Sequence, residues 1–171
     1  MKTRFPLQVI LVFSFGLWII TGVFPTNVSA VESKTDYLLI HMLTDANKND
    51  ANACVAFNVA WVAVEKGLSV EMLFDGWAGY NVKQDDYWAK YQVPSNYQKL
   101  VSKAVGREVK WQGGNYIDLL KYLKQKGMVV TANKTFLALS GDDKKLPLFI
   151  KQLSLVEMVD HFSGASSCIT Y

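Results

Sequence analysis

Cysteine, histidine and proline are scarce in these 171 residues: two, two and four of each. Two cysteines exclude a disulfide-dense scaffold. Two histidines at no fixed spacing from cysteines or carboxylates are a weak metal signal, so no metal site is assigned. The chain also lacks a Gly-rich phosphate loop, a Ser-His-Asp arrangement and a paired-carboxylate motif, so no cofactor is assigned. Positive charge is not in excess. The chain carries 18 basic and 15 acidic residues, a net +3. Lys2 and Arg4 fall in the first 30 residues and no acid does, so residues 31–171 hold 16 basic and 15 acidic residues, a net +1. That balance does not indicate a nucleic-acid surface. Half of the residues are hydrophobic and 19% are charged, which excludes a disordered chain.

What is present begins with a leader. Lys2 and Arg4 form a positive head, Val9 to Ile20 is almost continuously apolar, and Val28-Ser29-Ala30 offers small residues before a cut. This layout is that of a secretory signal over residues 1–30, followed by one domain of ordinary size over residues 31–171. It implies a periplasmic or secreted protein. The alternative is an uncleaved anchor that holds the domain on the outer side of a membrane.

Beyond the leader, strands and helices alternate. Asp36–Leu43, Leu68–Asp75 and Met128–Ala132 are short apolar runs of the kind that form buried parallel strands. Leu146–Leu153 is ambiguous and has room for a short fourth strand, and Ser166–Tyr171 reads as the last. Helices are expected at 51–66, 115–126 and 154–162, with shorter ones at 85–91, 97–105 and 135–140. Ser154 with Glu157 three residues on is a capping box. Ala53, Ala56, Phe57, Ala60 and Val64 form one apolar face of the first helix, and Val55, Val59 and Val62 form another. A helix apolar on two sides suits burial against the sheet and against a second subunit. The expected fold is a three-layer α/β sandwich with a mainly parallel sheet of about five strands, flavodoxin-like in outline. Residues 77–114 form an irregular region rich in aromatics (Trp77, Tyr80, Tyr87, Trp88, Tyr91, Tyr97, Trp111). It is read as packing against its own domain or the next subunit, or as a lid.

Ala53 to Ala60 ending at Lys66-Gly67, the strand 68–74 with Gly76, the segment 127–141 and Ser154 to Val159 resemble, in order and length, the DsrE/DsrF-like family that includes TusD-type sulfur-relay subunits. The resemblance covers nearly all of residues 31–171. It implies assembly as a trimer or hexamer. It also implies a place in sulfur-compound metabolism, with a sulfur-pathway protein as partner. Sulfur-carrying members place a cysteine at the end of the third strand. Ala132 and Asn133 stand there in this chain, and neither carries a nucleophilic sulfur. The resemblance therefore favours a non-catalytic binding protein and leaves enzymatic activity open. The alternative is a carrier or thiol-redox protein using Cys54, which lies near the start of the first helix.

In open α/β sheets, ligands sit beyond the carboxyl ends of the strands. Those ends offer Thr44, Asp45, Asn47 and Asn49, then Asp75, Gly76 and Trp77, then Asn133, Lys134 and Thr135. Thr44, Asp45, Asn49, Asp75, Trp77, Asn133 and Lys134 are the candidate ligand-binding residues, although turns and caps use the same types. With Lys134 the group could also bind a small anion. His41 and Met42, as neighbours on a strand, point to opposite faces and form no joint metal site. Cys168 alternates with Ser166 and Thr170 on the last strand. A Cys54–Cys168 bridge is chemically allowed outside the cytosol and left open. Asn133-Lys134-Thr135 is also a glycosylation sequon, relevant only in a eukaryotic secretory route.

Overall fold

The computed structural model describes residues 37–83, 87–141 and 146–171. The leader at 1–30, Asp36 of the first strand, the start of the helix expected at 85 and most of the polar turn at 141–145 lie outside the described residues. Five strands are described: β1 (Tyr37–Met42), β2 (Ser69–Phe74), β3 (Val129–Asn133), β4 (Lys151–Leu153) and β5 (Ser167–Thr170). They form one sheet in the order β4-β3-β2-β1-β5, every pair parallel. The helices are α1 (Asp50–Glu65), α2 (Gly76–Asn81), α3 (Tyr87–Lys90), α4 (Ser95–Val105), α5 (Tyr116–Gln125), α6 (Lys134–Leu139) and α7 (Leu155–Gly164). The α/β sandwich expected from the sequence is therefore present, and the ambiguous segment 146–153 does carry a strand. Among the described residues, no helix is long and apolar enough to cross a membrane.

Local signals explain most boundaries. The Asn49 side chain caps α1 by accepting from the Asn52 amide at 3.4 Å, and Gly67 (φ 80°) ends it in the left-handed region that glycine alone enters cheaply. At α7 the capping box forms in both directions. The Glu157 carboxylate accepts from the Ser154 amide at 2.8 Å, and the Ser154 hydroxyl accepts from the Glu157 amide at 3.3 Å. Those contacts from Ser154, with Lys151, hold the Glu157 carboxyl down at about 2.

Strand alternation divides the sheet into two chemically different faces. Ile40, Met42, Met72, Phe74, Val130 and Ala132 join the main core with α1 and α5. Phe57 of α1 is fully buried there, its ring centroid 4.8 Å from both Trp88 and Tyr116 and 6.3 Å from Phe74. Among the described residues the other face carries a smaller apolar cluster, Leu39, Leu73 and Leu153, under Met158 of α7, with Tyr37 packed against it. Val129 lies on this face as well, and its polar positions include His41, Glu71, Thr131 and Asn133, with Asp75 just past β2.

Within the aromatic region Tyr87 and Trp88 are buried, next to buried Tyr116 just beyond it, and Trp111 meets Trp61 edge-on at 5.4 Å, while Trp77 and Tyr91 are exposed. Gly76–Asn81 was expected to be irregular and is helical. Its two glycines disfavour a helix intrinsically, but the Asp75 cap and burial of Ala78 and Asn81 override that preference. The far end of α1 is tied by a buried carboxylate. Glu65 accepts from Tyr122 Oη at 2.5 Å and from Arg107 Nη2 at 2.6 Å, with Lys126 Nζ at 3.6 Å.

Candidate functional site

The parallel register sets β1, β2 and β3 so that Asp75, just past β2, comes level with Asn133 at the end of β3. Asp75 is the centre of a polar chain at the carboxyl ends of the strands. Its Oδ1 accepts from Asn133 Nδ2 at 2.7 Å and from the Gly76 amide at 2.6 Å. Its Oδ2 lies 3.1 Å from His41 Nε2. A carboxylate only accepts, so Nε2 carries the proton and Nδ1 is left as the acceptor of the neutral ring. The hydrogen bond from His41 holds the Asp75 carboxyl below its usual range against the opposing effect of burial, with Asn133 and the Gly76 amide adding to it. The edge of the His41 ring meets Phe162 of α7, centroids 4.9 Å apart. Asn133 is used at both ends, since its Oδ1 also accepts from the Phe136 amide at 3.1 Å and caps α6.

Beside this chain is a small cleft of about 230 Å³ lined by Asp45, Asn47, Trp77, Tyr80, Asn81 and Lys83. Buried Asn81 organises it. Its Oδ1 accepts from the Ala46 amide at 2.7 Å and its Nδ2 donates to Asp45 Oδ1 at 3.3 Å. Burial pushes the Asp45 carboxyl up, but hydrogen bonds from Asn47 and Asn81 and the charge of Lys48 outweigh it and leave it below its usual range. Trp77 is 56% exposed, with Lys48 Nζ 5.1 Å from its ring, and Lys83 Nζ lies 5.1 Å from the Tyr80 ring. The site thus presents carboxylates, amides, exposed aromatic surface and lysines together. Such a mixture recognises a small polar molecule by hydrogen bonds and charge.

Of the residues expected at the site, Asp75 joins Asn133, and Asp45 joins Trp77. Thr44 is present through its backbone, its amide donating to the Tyr171 carbonyl at 3.1 Å. The Asn49 side chain is used in capping α1. Lys134 is exposed, and among the described residues its side chain makes no ion pair. His41, Tyr80 and Asn81 are additions. The signal for His41 was a polar residue near the carboxyl end of β1, on the same strand face as Asp75 and Asn133. Seeing it required the register. Cys54 is half-buried on α1, on the other side of the sheet, with Sγ 3.2 Å from Tyr116 Oη. Cys168 is exposed on β5, and both thiols are free, so the bridge left open is not formed.

No family model matches the chain, and no curated protein matches it by sequence. Among solved structures it is similar to the crystal structure of the YchN protein from E. coli, with a TM-score of 0.54 and 14% identity, over 80% of this chain and 99% of that one. At that identity the likeness speaks for architecture alone, and the architecture is a DsrE-like, flavodoxin-like α/β fold.

Proposed function

We propose that this chain is an exported, non-catalytic binding protein of DsrE-like fold. It recognises a small sulfur-containing anion or zwitterion at the carboxyl ends of β1–β3 and acts as a recogniser instead of a carrier. One observation carries the reading. Asn133, at the position where sulfur-carrying relatives would place a thiol, spends its amide on Asp75 and on the cap of α6. Cys54, the thiol of the alternative reading, is separated from His41 and Asp75 by the sheet itself. The leader layout of residues 1–30 supports export.

Thiol chemistry and ligand binding test this together. In the purified protein, Cys54 is expected to resist iodoacetamide at neutral pH and to gain no sulfur from a persulfide donor, read by mass spectrometry. Taurine or cysteine, whose ammonium donates to His41 Nδ1, is expected to raise the melting temperature of the wild type and not of His41→Ala. A ligand at about 100 times its Kd stabilises by about 2.7 kcal/mol, a shift of several degrees. A Cys54 that accepts sulfur would turn the reading into that of a carrier.

Self-association belongs to the same proposal. Val55, Val59 and Val62 of α1, with Leu38 and Leu68, line an apolar groove of about 470 Å³ that this chain leaves open, and Val55 is 49% exposed. A second copy would cover it. Val59→Asp is expected to convert the assembly to monomers in light scattering while leaving the circular dichroism unchanged. A wild type that is monomeric at micromolar concentration would remove this part of the proposal.

A further inference from the structure

A second cleft, of about 460 Å³, opens at the opposite, amino ends of the parallel strands. We propose that it binds a small organic ammonium with an apolar body, held by His161 and Asp160. Tyr37, Val70 and Val129 supply the apolar wall. Glu71, which also lines it, is only 3% exposed and lies within β2, the middle strand of the sheet. A carboxylate buried there costs free energy that an apolar side chain would not, so what it holds in place is informative. Glu71 Oε1 accepts from Thr131 Oγ1 at 2.7 Å, and Oε2 lies 2.6 Å from His161 Nδ1. The carboxylate accepts, so Nδ1 carries a proton, and the Nε2 of the neutral ring is an acceptor with no other partner among the described residues. Tyr37 donates to the backbone carbonyl of His161 and anchors this end of α7 to β1.

The charges decide the class of ligand. Among the described residues no lysine or arginine lines the cleft, while Asp160 stands exposed at its edge. Both Glu71 oxygens are engaged, so a ligand meets the imidazole and Asp160. An anion is repelled here. An ammonium N–H donates to Nε2, its charge faces Asp160, and its apolar body lies against Val70 and Val129. A bare metal ion is not the occupant, because among the described residues no three of His, Cys, Asp and Glu gather to hold one. The site is at the other end of the strands from His41 and does not depend on it.

Calorimetric titration of the full protein at about pH 8 with tryptamine and with indole-3-acetate tests this. The two share a ring system and differ in the sign of their charge. Tryptamine is expected to bind at least about tenfold tighter than indole-3-acetate, the effect of one partly desolvated charge contact. Asp160→Asn is expected to weaken tryptamine by about threefold to tenfold without changing the melting temperature, since an exposed carboxylate contributes little to folding. His161→Phe removes measurable tryptamine binding, and His41→Ala leaves it intact. Equal affinity for the two compounds overturns the proposal. So does an absence of tryptamine binding to the wild type, or a loss in His41→Ala that Asp160→Asn does not share.

Discussion

Phe57→Ala is expected to lower stability by about 3–5 kcal/mol, read as a fall in the urea midpoint at unchanged slope. The side chain is fully buried and lies between α1, β2, α3 and α5. Its loss removes transfer free energy and leaves a cavity, because Trp88 and Tyr116 are held by their own contact at 4.7 Å and cannot both collapse inward. Aromatic pairs contribute about 0.5–1.5 kcal/mol each beyond burial, and three are lost at once. Domains of this size are stable by about 5–15 kcal/mol, so the variant stands near the edge of folding. Leu139→Ala is the control. That side chain is 84% exposed, and its removal is expected to change stability by less than about 0.5 kcal/mol. A Phe57→Ala protein as stable as this control would show that the aromatic cluster does not hold the region 87–116 to α1.

The second large effect is at Glu65. Arg107→Ala is expected to cost about 3 kcal/mol near neutral pH, because it leaves a fully buried carboxylate with too few partners. The value lies at the low end of the range for broken buried pairs, since Tyr122 and Lys126 remain. Glu65→Gln is expected to cost less. It removes the charge, keeps an acceptor for Tyr122, and returns the half-exposed Arg107 to water. The pH dependence separates the two. Burial pushes the Glu65 carboxyl up, but hydrogen bonds from Tyr122 and Arg107 and the charges of Lys126 and Arg107 bring it below its usual range. A carboxyl lowered on folding contributes stability that is present above its unfolded-state value, about 4.3, and lost as pH falls through the folded-state value. The gap between wild type and Arg107→Ala is therefore expected to hold near neutral pH and to shrink as pH falls below about 4.3. The gap to Glu65→Gln narrows over the same window. Urea titrations at several pH values measure both. A gap that stays constant with pH would mean that Arg107 acts through packing of its stem and not through its charge.

Much of this molecule was legible in one dimension. The apolar runs of β1, β2 and β3, the Ser154–Glu157 box and Gly67 at the end of α1 are local features, and local physics acts on them alone. The order of elements then led to a parallel α/β sheet, because consecutive strands separated by helices have few other ways to pair. The helix at Gly76–Asn81 was not legible, since its glycines argue against it and only burial of Ala78 and Asn81 argues for it.

The candidate site divides along the same line. Asp45, Asp75, Trp77 and Asn133 were visible because strand ends in such sheets are where ligands meet the protein. Which of them touch was not. Asp75 and Asn133 are 58 residues apart, Glu71 and His161 90. Alternation along a strand tells which residues share a face, but it does not tell how far one strand has slid along the next. That offset is set by hydrogen bonds between strands and by packing of both faces at once. The sequence by itself determined the sheet, its helices and the amides and carboxylates gathered at its ends. Only the tertiary structure decided that His41 would join Asp75, and that His161 would close over Glu71 at the far end, because a contact between distant segments exists only once the register between them is set.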